Sequence, residues 1–131
     1  MTNIERKLDF VKIREGVLAS CTTNYARKRT EDEQISLSAP EIEHRLALTD
    51  EMRLICMFES SFPSGGFEDC IEFLKPLELL SSVISLENLV RLGRFTNLMR
   101  EITSFFAECS AEKYPCLKEF SSKVIYFPEI K

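Results

Sequence analysis

The sequence is short of the parts from which most active sites are built. It has one histidine, no tryptophan and only four glycines in 131 residues. A histidine-based triad or metal site therefore has His44 alone to draw on, and a glycine-rich phosphate loop has little glycine to use. No GxSxG, P-loop, GxGxxG or CxxC spacing occurs. No apolar run approaches the roughly 20 residues that span a bilayer, so no membrane segment is expected. Positive charge is not in excess either. The formal net charge is −4, which offers nothing global to a polyanion and argues against a nucleic-acid partner.

What is present is apolar and unevenly charged. Hydrophobic residues make up 44%, with ten phenylalanines against three tyrosines, a composition that favours core over polar recognition surface. The length suits one domain, or one domain with an arm. Residues 1–33 carry a balance of +1 and residues 34–131 one of −5. The basic knot Arg27-Lys28-Arg29 precedes Glu31-Asp32-Glu33 and reads as a solvated loop. The five cysteines are odd in number and follow no secretory signal. Free thiols in a reducing compartment, nuclear or cytoplasmic, are therefore expected. Cys56 and Cys70 sit among apolar neighbours and are expected to be buried. Cys109 and Cys116, seven apart, would share one face of a helix.

The apolar spacing is helical. Ile4, Leu8 and Val11, with Phe10, Ile13 and Val17 beside them, predict an amphipathic helix over Asn3–Ser20. Its stripe needs a cover: the rest of the chain, a partner, or a second copy in a homo-oligomer. Residues 21–37 read as a linker, so the expected division is 1–37 (N-terminal helix and charged linker) and 38–131 (helical bundle). Ser38, Pro40 and Glu41 mark a helix start with a capping box, running to about Ser60 unless Thr49-Asp50 begins a second helix. Phe62-Pro63-Ser64-Gly65-Gly66 is the clearest loop. Phe67-Glu68-Asp69 is expected to open the next helix, in which Pro76 forces a kink or a new turn. A helix from Ser85 is interrupted at Leu92-Gly93 and resumes through Ile102, before a break at Ala107–Ser110. The last helix runs from Ala111 to about Phe120, and Val124–Phe127 forms a short extended end. No set of strands emerges. The predicted fold is all-α, a compact bundle of four to six helices.

Catalytic chemistry finds little support in this pattern. The pairs Glu41/Glu43, Glu68/Glu72 and Glu108/Glu112 read as solvated helix faces, not as an acid–base couple. A nucleophilic Cys21 or Cys70 would need His44 as its base, which keeps a small cysteine-dependent enzyme or enzyme subunit as the competing class. No catalytic residue, metal or cofactor is expected. Arg91, Arg94 and Arg100 form a modest stripe that reads as solvated. The remaining signal is aromatic. Phe62 and Phe67 flank the Gly-Gly loop, and Phe105-Phe106 close a helix. Aromatics at inter-helix loops can line a groove for a partner's short apolar or helical motif, or they can plug the end of the bundle.

One segment resembles a known family. Asp69-Cys70-Ile71-Glu72-Phe73-Leu74 with Leu77, then Ile84-Ser85-Leu86-Glu87 and the run Leu92 to Ile102, resembles the transcription elongation factor S-II N-terminal family. Arg91-Leu92-Gly93-Arg94 with Asn97 and Arg100 is similar to that family's Arg-Ile-Gly-Lys…Asn…Arg run. Cys-Ile-Glu-x-Leu followed by Ile102–Phe105 is similar to the integrase-binding domain of lens-epithelium-derived growth factor. The resemblance implies a right-handed helical docking domain of nuclear transcription or chromatin complexes, with Phe105 as the groove aromatic of the second loop. The first loop, Phe62 to Gly66, lacks the aspartate of the growth-factor branch. Leu77–Leu80, Ser85–Leu89 and Gly93-Arg94 are in turn similar to death effector domains, which would imply a signalling adaptor, although the Arg-x-Asp-Leu signature is absent.

Overall fold

A computed structural model describes residues 7–36, 38–78, 82–110 and 112–125. The described residues form six α-helices and one 3₁₀ turn, with no strand, as the all-α expectation required. Contacts divide the chain into two compact units, Met1–Ser36 and Leu37–Lys131.

The first unit is a helical hairpin. Helix α1 spans Phe10–Ser20 and α2 spans Asn24–Asp32. The predicted Asn3–Ser20 helix is interrupted: Lys7 is helical, Asp9 takes a left-handed conformation (φ 56°), and α1 starts after it, while residues 3–6 lie outside the described residues. Residues 24–32 are helical where the sequence reading has a linker. Two contacts explain this. The Thr23 side chain accepts a hydrogen bond from the Ala26 backbone N–H at 3.1 Å, a standard N-cap. Arg14 of α1 donates to the carbonyls of Glu31 and Glu33, each at 2.9 Å, placing a cation on the carbonyl-rich end of α2. The basic knot therefore lies on a helix, and neither helix of the hairpin contains a fully buried residue.

The second unit holds α3 (Ala39–Phe58), α4 (Ile71–Leu74) running into a 3₁₀ turn (Lys75–Glu78), α5 (Leu86–Glu108) and α6 (Pro115–Ser122). Ser38 stands at the N-cap of α3 with a proline in the first turn, although its side chain makes no capping hydrogen bond. Thr49-Asp50 starts no second helix. Thr49 Oγ1 donates back to the Arg45 carbonyl and Asp50 pairs with Arg53 at 2.7 Å, both within α3. The helix expected at Phe67-Glu68-Asp69 begins instead at Ile71 and lasts one turn, since Pro76 cannot supply the N–H that would extend it. Glu68 is drawn to Arg91 at 3.1 Å, and Arg91 also donates to the Asp69 carbonyl, so this segment is pinned to α5.

Helix α5 is continuous through Leu92-Gly93, where an interruption was expected. One glycine weakens a helix interior by about 1 kcal/mol, too little to break 23 residues that start on a Ser85 cap. The last helix begins at Pro115, four residues later than expected, with proline in the first turn where its missing N–H does no harm. Val124 and Ile125 form no strand, and the rest of the expected extended end, Tyr126-Phe127, lies outside the described residues. Helix α6 packs on both α3 and α5. Ile55, Phe106 and Tyr114 form the core there, covered by Met52, Leu54, Ile102 and Leu117 among others. Cys70 is buried as expected, but Cys56 is exposed, because it follows Ile55 by one position and so points away from the face that Ile55 buries. Cys109 and Cys116 do not share a helix: Cys109 caps the end of α5 and Cys116 lies in α6.

Candidate docking site

Two features of the second unit place functional side chains: a polar seam between α3 and α6, and a groove beside it. The seam starts from an ill-capped helix. Tyr114, at the N-cap of α6, is left-handed (φ 55°) and provides no side-chain cap. Glu51 of α3 supplies the cap instead. Its two carboxylate oxygens accept from the backbone N–H groups of Cys116 (3.0 Å) and Leu117 (2.7 Å), which combines capping with a negative charge at a helix N-terminus.

Two turns further on, at the C-cap of α3, Glu59 accepts from the Tyr114 hydroxyl at 2.9 Å and pairs with Lys113. The hydrogen bond from Lys113, reinforced by that from Tyr114, holds the Glu59 carboxyl below its ordinary range. The same Glu59 pushes the Lys113 ammonium up. Burial, then the bond to Glu59, pushes the Tyr114 hydroxyl up. An open cleft of about 580 Å³ lies over this seam, with Phe58 exposed on its wall. No sequence pattern singled out Glu51, Glu59, Lys113 or Tyr114. One signal appears once the helix start is placed at Pro115: the residue in front is Tyr114, a poor capping residue, which leaves the first-turn N–H groups open to an acceptor from another helix.

The groove is built from aromatics. Phe62, just past the end of α3, meets Phe105 of α5 edge-to-face, with ring centroids 5.1 Å apart at 79°. Phe106 closes the triangle, 6.0 Å from Phe62 and 5.3 Å from Phe105. Each such contact contributes about 0.5–1.5 kcal/mol beyond area burial. The three rings have different roles. Phe106 is 5% exposed and belongs to the core, while Phe62 and Phe105 are half-buried and pack on that core from outside. Their outer surfaces floor an open groove of about 550 Å³ between the loop Ser60–Pro63 and the α5 residues Arg100, Ser104 and Glu108. The structure thus brings Phe62, Phe105 and Phe106 together, although Phe62 and Phe105 are 43 positions apart in the chain. Phe67 is exposed and lies outside this ring cluster.

The rim of the groove is ordered along α5. Arg100 donates to the Asn97 side-chain oxygen, and Asn97 donates to Glu101 at 2.7 Å. Arg91 and Arg94, which the sequence aligns with Arg100 in one stripe, are turned instead toward Glu68. Among the described residues no group of three or more His, Cys, Asp or Glu side chains is placed to hold a metal ion, and His44 is exposed. No described helix is long and apolar enough to cross a membrane. Comparison of the chain with protein-family models, with curated proteins and with solved structures found no match.

Proposed function

We propose that the protein is a non-catalytic interaction module whose groove at Phe62 and Phe105 takes a short apolar or helical motif of a protein partner. The observation that carries this reading is the ring pair itself. Two phenylalanines from different elements are held edge-to-face on the core, so their outer surfaces are rigid and ready to be covered. The nearby side chains Arg100, Glu101 and Glu108 give the rim one positive and two negative charges. An apolar anchor with a basic flank therefore fits best.

Two of the five thiols, Cys70 and Cys116, fit the non-catalytic class. Burial pushes the Cys70 thiol up, and burial with the contact to Glu51 pushes the Cys116 thiol up. Both shifts lower the thiolate fraction on which a nucleophile depends. Placement in a nuclear transcription or chromatin complex rests on the resemblance of residues 69–106 alone. A signalling-adaptor role rests in the same way on the weaker likeness to death effector domains.

The test is a selection of peptides from a displayed library, followed by mapping of the bound peptide on the isotope-labelled protein. Shifts centred on Phe62, Arg100, Ser104 and Phe105 are expected. Ser104→Trp, an exposed position on the groove wall, should abolish binding and leave the circular dichroism unchanged. Peptides that bind elsewhere, or that ignore Ser104→Trp, would overturn the reading.

A further inference from the structure

The N-terminal half of α5 presents a surface that the groove does not use. Leu86, Leu89 and Val90 are 77%, 50% and 48% exposed. They stand at i, i+3 and i+4, and Gly93 follows at i+7, so the four form one stripe. Glycine weakens a helix interior, yet nothing in this chain requires it here. Beyond its chain neighbours and its own helix backbone, no heavy atom lies within 4 Å of where a Cβ at Gly93 would stand.

We propose that this stripe docks a second copy of the chain, helix against helix, antiparallel and two-fold. Pairing about the midpoint between Leu89 and Val90 sets Leu89 of each copy against Val90 of the other. It also places Leu86 of each copy in the open notch at Gly93 of the other. A two-fold contact requires a patch that is complementary to itself. A stripe with a bulky end and an empty end meets that requirement when the second helix is reversed.

The charges agree with this choice of direction. Glu87 and Arg94 are exposed and, like Leu86 and Gly93, stand seven positions apart. Reversal brings Glu87 of one copy within a turn of Arg94 of the other, and symmetry repeats the pair. Arg94 lies 3.7 Å from Glu68 within its own chain, a long contact at an exposed guanidinium. A parallel pairing would instead set leucine against leucine, leave both notches empty and put Glu87 of one copy and Arg94 of the other on opposite flanks of the contact.

Size sets the strength. Leu86, Leu89 and Val90 offer on the order of 300 Å² of apolar surface, comparable to the largest patch on an ordinary monomer, which is often functional. Two copies give roughly 600 Å², and with Glu87, Arg94 and Asn97 included the contact approaches the ~1,000 Å² at which specific interfaces begin. The expected dimer is therefore weak, at the small end of specific interfaces. Ser104 lies about 22 Å along the helix from the pairing centre, so the groove remains open in each copy and neither proposal depends on the other.

Sedimentation of the full chain from about 1 to 500 μM tests the pairing. A monomer–dimer equilibrium is expected, weakened at least tenfold by Leu86→Glu and by Gly93→Leu with helix content retained. Both positions are exposed, and a glutamate in the first turn suits the helix dipole. Glu87→Arg and Arg94→Glu should each weaken the dimer several-fold, and the two together should restore it. A monomer at every concentration would overturn the proposal. So would a dimer indifferent to these changes, such as one formed through α1 or through a crossing of other helices.

Discussion

Removing the Glu51 carboxylate tests the account of how α6 is held. Both of its oxygens are engaged by backbone N–H groups in the first turn of a helix whose own N-cap residue contributes no side-chain bond. Losing an N-cap acceptor costs about 1 kcal/mol, and losing a negative charge at a helix N-terminus costs about 0.3–1 kcal/mol more. Glu51→Ala should therefore destabilise the protein by about 2 kcal/mol. Glu51→Gln keeps one acceptor without the charge and should cost about 1 kcal/mol. With a urea m-value of about 2 kcal/mol/M, the alanine variant should move the unfolding midpoint down by about 1 M. The assay is equilibrium urea unfolding followed by far-UV circular dichroism, with wild type and both variants side by side. The order wild type, Gln, Ala is as informative as the size. If Glu51→Ala unfolds within about 0.5 kcal/mol of wild type, as an ordinary surface substitution does, α6 is not capped from α3 and the seam is misread.

Three further outcomes follow from the same contacts. Glu59 has its carboxyl lowered below the ordinary 4.5 by Lys113 and Tyr114, so its contribution to stability is present above pH 4.5 and lost as pH falls through the folded value. Lys113 and Tyr114 are raised above 10.5 and 10.0, so their contribution is complete below pH 10 and lost as pH rises through their folded values. Midpoints measured from pH 2 to 12 should fall at both ends, and Glu59→Gln should flatten the acid limb. Phe106→Ala should cost about 3–5 kcal/mol by emptying the core, whereas Phe67→Ala, at a position 44% exposed, should cost clearly less in thermal unfolding. Alkylation at neutral pH, followed by mass spectrometry, should label exposed Cys56 well before buried Cys70, and the reverse order would contradict the helix facing described for α3.

The helices were legible in the sequence where apolar spacing and local caps act together. Ser85 before α5 and Pro40 in the first turn of α3 are local signals, and both helices start there. The misreadings have nonlocal or marginal causes. The α2 helix looked like a linker because its sequence is polar, and a main support, Arg14, lies 17 and 19 residues from the carbonyls it holds. Gly93 looked like a break because glycine is the weakest ordinary helix former, but the helix on either side outweighs one such residue. The aromatic groove was visible as a set of phenylalanines at loops. Sequence spacing could not tell that Phe106 faces the core while Phe62 and Phe105 face outward, since adjacent residues at a helix end separate by rotation alone. Glu51 and Glu59 were passed over because each looks like any other acid on a helix until its partner more than fifty residues away is known.

That separation also bears on the order of assembly. The Arg14–Glu31 contact closes 17 residues, whereas Glu59 and Tyr114 are 55 apart and Glu51 and Leu117 are 66 apart. Closing the longer loop costs about 1 kcal/mol more in chain entropy before any contact in the seam is gained. Folding rates fall as native contacts become more distant along the chain. Of these contacts, the α3–α6 seam therefore carries the larger connectivity cost, and the α1–α2 hairpin the smaller.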